Sequence, residues 1–162
     1  MEKSPQPHNQ HIDCNDELLT KFQLFTELNS DELAELVRHS GTASYKAGET
    51  IISSGDVGFC MYVILRGMAR VSTQDVHLAV LEPGDFFGEV ALVDDGPRSA
   101  DVVAVEDCEL LTITRMTLGM LAGLQPGAAI HILAAIGRSL VARLRAENQK
   151  YVDLILLGRR AS

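Results

Sequence analysis

Between Thr42 and Thr114 the chain is cut into short apolar runs by turn residues. The cuts fall at Lys46-Ala47-Gly48, Ser54-Gly55-Asp56, Arg66-Gly67, Glu82-Pro83-Gly84-Asp85 and Asp94-Asp95-Gly96-Pro97. Glycine and proline at such intervals break any helix. Recurrence at roughly 8–15 residues is the spacing of a small antiparallel barrel or jelly roll. The runs between the cuts are rich in Val, Ile and Tyr, which favour extended backbone. They predict strands over 50–53, 61–66, 69–73, 77–81, 101–105 and 109–114.

Helical periodicity flanks this region. Over 16–25, Leu18, Leu19, Phe22 and Phe25 share one side and predict a short helix. Asn29 is a good N-cap, and Glu32 completes a capping-box pattern for a helix whose stripe is Leu33, Leu36 and Val37. His39-Ser40-Gly41 would end it, with Gly41 as the C-cap. Beyond Thr114, 116–124 predicts a short helix. Gln125 then caps a long one, with Pro126 in its first turn. A helix from 127 to about 157 is roughly 45 Å long at 1.5 Å per residue. Leu133, Gly137, Leu140, Leu144, Glu147, Tyr151 and Leu154 recur along it at a four-three spacing. A domain this small cannot cover all of that face. From Leu144 onward the helix needs a second copy of itself, hence a homodimer, or it frays.

Composition narrows the class. The chain has 162 residues, 46% of them hydrophobic and 22% charged, which fits one globular domain after a mobile tail at 1–15. A net charge of −8 with dispersed Lys and Arg repels phosphate backbones, so no nucleic-acid partner is expected. No apolar stretch nears the ~20 residues that cross a bilayer, and no signal peptide is apparent. The cytoplasm is therefore the expected location, with no membrane partner. Cys14, Cys60 and Cys108 are too far apart for a C-x-x-C site and imply neither a disulfide framework nor zinc. His8 and His11 lack a third ligand nearby. His77 is alone in the barrel region, against the His-x-His that a metal-dependent barrel enzyme needs. No nucleophile motif or paired carboxylates appear either. The chain reads as a non-enzyme without metal or cofactor.

One stretch resists a purely structural reading: Phe87-Gly88-Glu89-Val90-Ala91-Leu92, then, five residues on, Arg98-Ser99-Ala100. Gly88 permits a conformation or close approach that a side chain would obstruct. Glu89 starts a helical turn, where free N–H groups stabilise a carboxylate. It can accept from hydroxyls but cannot donate to them. Arg98 returns behind Gly96-Pro97 with a planar fork suited to phosphate. Ser99 adds a hydroxyl. A hydroxyl-reading acid and a phosphate-reading base describe a sugar phosphate. A Glu89–Arg98 ion pair that merely staples the loop is the competing account.

The stretch resembles the phosphate-binding cassette of cyclic nucleotide-binding domains, F-G-E-aliphatic-A-L followed by R-S/T-A. The upstream Gly55-Asp56, Tyr62, Ile64 and Gly67 match a second signature of that family. The likeness spans about 18–157. It implies a mainly β fold with flanking helices. At its centre would be a double-stranded β-helix, a jelly-roll-like β-roll over about 42–114, with C-terminal helices over about 115–157. It implies Glu89 on the ribose 2′-hydroxyl, Arg98 and Ser99 on the cyclic phosphate, and backbone from Gly88 and Ala91, with Ala100 also among the ligand-binding residues. Phe87, Val90, Val71 and Leu81 would line the base. Arg143, Leu144 and Glu147 of the last helix would form the lid. The implied activity is regulatory: cyclic AMP ahead of cyclic GMP, relayed by the final helix to an effector. The alternatives are a piece of a transcription regulator, channel or enzyme, or a degenerate domain that has lost its ligand. The residues after the long helix are too few for a helix-turn-helix.

Overall fold

The computed structural model describes residues 16–74 and 76–160. The tail at 1–15, with His8, His11 and Cys14, lies outside them. In chain order come α1 (Asp16–Leu19), a 3-10 turn (Gln23–Phe25), α2 (Ser30–His39), and strands β1 (Gly41–Tyr45), β2 (Thr50–Ile52), β3 (Cys60–Arg66), β4 (Ala69–Thr73), β5 (Val76–Leu81) and β6 (Phe86–Phe87). A second 3-10 turn (Glu89–Leu92) precedes β7 (Asp101–Ala104), β8 (Cys108–Thr114), α3 (Arg115–Leu124) and α4 (Pro126–Arg160). The strands form two antiparallel four-stranded sheets, β1-β8-β3-β6 and β2-β7-β4-β5. The β-roll between N-terminal helices and a long C-terminal helix is thus the observed fold.

Strand β3 explains why the two layers hold together. Its side chains alternate between two cores. Met61, Val63 and Leu65 face the helices and pack with Leu33, Leu36, Leu121 and Ile132. Ile64 and half-buried Tyr62 face the roll interior, with Ile52, Leu81, Phe87 and Leu110. Each fully buried side chain of this size stabilises the fold by roughly 1.5–3 kcal/mol. Both cores therefore depend on β3, and the roll is clamped between its second sheet and the helices.

Four expectations need correcting. The helix over 16–25 is broken: Phe22 is extended (φ −78°, ψ 132°). That break lets Phe22, Leu24 and Phe25 all bury, which one helical face would not allow. Gly41 does not cap α2. It opens β1, where a Cβ would sit 2.5 Å from Thr112 Oγ1, so its role is close approach between strands. Strands β1 and β6 were not expected. GTASY carries little apolar pattern, and it is extended because β8 offers a partner along its whole length, Gly41 opposite Thr112 to Tyr45 opposite Cys108. Finally, Pro126–Arg159 is long and apolar enough, by length and composition alone, to cross a membrane, with a window of mean hydropathy 1.4. In its first half, Ala128, Ala129, Ile132 and Ile136 are buried in the helical core.

The capping boxes do what their residues dictate. Asn29 Oδ1 accepts from the Glu32 N–H at 2.9 Å, and the Glu32 carboxylate accepts from the Asn29 N–H at 2.9 Å. Thr114 and Thr117 form the equivalent pair at α3. The buried Thr117 hydroxyl also donates to the His39 carbonyl at 2.9 Å, tying the end of α2 to the start of α3. This sets the platform on which α4 lies.

Candidate functional site

The site is built at the point where β6 ends. Glu82-Pro83-Gly84-Asp85 turns the chain, Gly84 in the left-handed region at φ +95°. Phe86 and Phe87 then pair with Val63 and Tyr62. Phe87 stacks on Tyr62 with ring centroids 5.2 Å apart. Gly88 is also left-handed, at φ +75°. A side chain is strained there, and this reversal turns Glu89 inward at the start of its 3-10 turn. Glu89 is 3% exposed.

Arg98 approaches from the other side. Its backbone is locked to the β2–β3 loop: its N–H donates to the Asp56 carbonyl at 2.7 Å, and its carbonyl accepts from the Gly55 N–H at 2.8 Å. Its guanidinium donates from Nη1 to the Gly88 carbonyl at 3.0 Å and from Nη2 to the Cys60 carbonyl at 2.7 Å. A guanidinium has more donors than these two carbonyls use. Among the described residues Arg98 makes no ion pair, so this half-buried cation is balanced by no carboxylate. The Glu89–Arg98 staple is not formed.

Glu89 pairs elsewhere. Its Oε1 accepts from Arg143 Nη1 of α4 at 2.6 Å. Arg143 Nη2 donates to the Phe86 carbonyl at 3.1 Å, and its guanidinium lies 5.8 Å from the Phe86 ring centroid. The second carboxylate oxygen accepts no hydrogen bond from the described residues. One acid therefore holds the final helix with one oxygen and leaves the other without a hydrogen bond from the described residues. Behind it, Tyr62 and Tyr45 line the roll. Burial, more than any neighbour, pushes both phenols up from their ordinary range, so both stay neutral hydroxyls.

The remaining candidates divide by position. Phe87 and Leu81 are buried and Val71 half-buried on the roll's inner side. Ala91 is buried, and its carbonyl accepts from Arg115 Nε at 3.0 Å. Gly88 and Ala100 are half-buried, whereas Val90 and Ser99 are exposed. Leu144, next to Arg143, is exposed on α4, as is Glu147, which pairs with Lys150 at 2.9 Å. Arg143 was expected over a base; here the buried carboxylate holds it. Cys60 and Gly58 were not singled out from the sequence. Cys60 acts through its carbonyl, which no side-chain pattern reveals. Gly58 is visible only as a glycine, and the sequence does not say whether the backbone or a close neighbour requires it; the structure shows no left-handed φ there.

These features define a β-roll ligand-binding module with an anion-ready arginine and a hydroxyl-ready carboxylate. Residues 42–123 match the family described as "Cyclic nucleotide-binding domain", and the chain belongs to that family. It is 35% identical over 122 residues to the cyclic AMP receptor protein of Thermus thermophilus, covering 72% of this chain and 56% of that protein. It is 32% identical over 115 residues to a cGMP-dependent protein kinase of Plasmodium berghei, covering 71% of this chain and 13% of the kinase. The N-terminal domain of a transcriptional regulator from Streptomyces coelicolor A3(2) superposes with a TM-score of 0.68 at 29% identity, over 84% of this chain and 95% of that one. The chain thus spans only part of the curated relatives it matches.

Proposed function

We propose that this chain is a regulatory sensor that binds a 3′,5′-cyclic nucleotide, cyclic AMP in preference to cyclic GMP. The observation that carries this is the state of Arg98. A half-buried guanidinium is held in place by two carbonyls and neutralised by nothing within the described residues. Such a group favours an anion strongly once water is displaced. Glu89, with one oxygen uncommitted, supplies the acceptor for a ribose hydroxyl. Ser99, exposed at the cassette rim, adds a donor to the phosphate. Phe87, Val71 and Leu81 supply apolar surface for the base. The likeness to a cyclic AMP receptor protein supports the adenine preference. The likeness to a cGMP-dependent kinase makes the guanine ligand the competitor.

The relay runs through Glu89. A ligand that takes one carboxylate oxygen changes the charge and geometry felt by Arg143 on the other. The position of α4 and occupancy of the pocket are then thermodynamically linked, each biasing the other. The output is read by an effector protein or by a second copy of the chain in the cytoplasm. The exposed Val141, Leu144, Tyr151, Leu154 and Leu157 on α4 form the surface for a homodimer. The module itself catalyses nothing. Calorimetric titration with cyclic AMP and cyclic GMP, repeated on Arg98→Ala, tests the reading. Heat with wild type, weakened on the order of 100-fold in the variant, is expected. No heat with either nucleotide refutes it and leaves a degenerate domain.

A further inference from the structure

Arg98 lies between two glycines. A Cβ at Gly88 would stand 2.6 Å from Arg98 Nη1. A Cβ at Gly58 would overlap Nε, Cζ and Nη2 of the same side chain outright. The two contacts differ in kind. Gly88 is left-handed, so any side chain there is strained whatever the space. Gly58 has no such φ. Its φ does not call for glycine, and the three atoms nearest a Cβ there all belong to the Arg98 guanidinium. The surrounding chain holds the two together: Val57 bridges Pro97, the Arg98 N–H reaches Asp56, and the guanidinium reaches the Cys60 carbonyl. The 55–60 loop and the Arg98 loop therefore move as one piece, and Arg98 cannot keep both carbonyl bonds if position 58 gains a methyl group.

We propose that Gly58 is a positioning residue for the anion site: its missing side chain is the slot in which the Arg98 guanidinium lies flat, aimed between the Gly88 and Cys60 carbonyls. This rests on the cyclic-nucleotide reading only for what the arginine grips. Gly58→Ala swings the guanidinium out of the slot and unmakes its two carbonyl bonds. Phosphate affinity falls, while the apolar pocket and Glu89 are untouched.

The test is a double-mutant cycle on the whole chain: wild type, Gly58→Ala, Arg98→Ala and the double variant. Thermal melting without ligand comes first. Gly58→Ala is expected to lower Tm in the wild-type background and to lower it little or not at all when residue 98 is Ala, because the obstructed group is gone. If Gly58→Ala does not fold alone, recovery of folding in the double variant is the same result. An equal shift in both backgrounds, zero included, or failure to fold in both, overturns the slot. Binding of cyclic AMP comes second. Gly58→Ala is expected to weaken it by a factor close to that of Arg98→Ala, with no further loss in the double variant. Additive losses, or wild-type affinity in Gly58→Ala, overturn the positioning role. Wild type that binds neither cyclic nucleotide refutes the cyclic-nucleotide reading instead, and the melting cycle still decides the slot.

Discussion

Replacing Arg143 by Ala is the most informative single change outside the anion site, because it removes the only described partner of a buried carboxylate. Its size follows from burial. Breaking a fully buried ion pair costs about 3–5 kcal/mol, and losing an exposed one at most about 1 kcal/mol. The Glu89 side chain is 4% exposed and that of Arg143 49%, so this pair lies between those limits. Water screens the arginine but scarcely reaches the acid. A cost of about 2 kcal/mol is expected, the average of the two regimes. For a chain of this size that lowers Tm by roughly 4–8 °C. Differential scanning calorimetry of wild type, Arg143→Ala, Glu89→Gln and the double variant is the assay. In the Glu89→Gln background no buried charge is stranded, and the penalty should fall to a small fraction. Amide exchange along α4 near residue 143 should also quicken in Arg143→Ala, since the helix loses its tie to the cassette. A penalty of the same size with Gln at 89 would refute the reasoning. The arginine would then act by packing against Phe86 alone.

Two further outcomes follow from the exposed parts of the molecule. Asp107 accepts from Lys46 Nζ at 2.7 Å and from the Ala47 N–H at 3.0 Å, and the Lys46 hydrogen bond, first among the causes, holds its carboxyl below the usual range. A depressed folded-state pKa adds stability above the unfolded value and loses it as pH falls through the folded one. The Tm gap between wild type and Asp107→Asn should therefore be small at pH 7 and close on acidification below about pH 4; a gap that widens in acid contradicts this. Leu154→Asp places a charge on the exposed apolar face of α4 without touching either core. Sedimentation should show a dimer in wild type at tens of micromolar and a monomer in the variant, and a wild-type monomer with ligand present ends the dimer proposal.

The strands were legible where residue type and turn chemistry agreed. The runs at 61–66 and 69–73 are built from extended-chain formers and hinge on Gly67, which is left-handed at φ +83°, so local sequence and fold say the same thing. The helix cap at Asn29 is equally local, since donor and acceptor lie within four residues; the one at Thr114 is as local but was not among the expectations. What was illegible is non-local. β1 is a strand because β8 pairs with it. Phe22 is extended because three neighbouring side chains all need the core.

The candidate site shows the same division. Which residues carry charge, and that Gly88 frees the backbone before Glu89, are properties of the chain read in order. Sequence spacing even singled out both Glu89 and Arg98. It left open whether they neutralise each other. The tertiary structure answers that by distance: Arg143, far along the chain on α4, reaches the acid first, while two carbonyls from separate strands and turns hold the base without neutralising it. Local propensity acts over a few residues, whereas electrostatic pairing acts over whatever the fold brings within about 4 Å. That is why the amino-acid order alone could name the groups, and only the packed roll and helix could say which of them pair with each other.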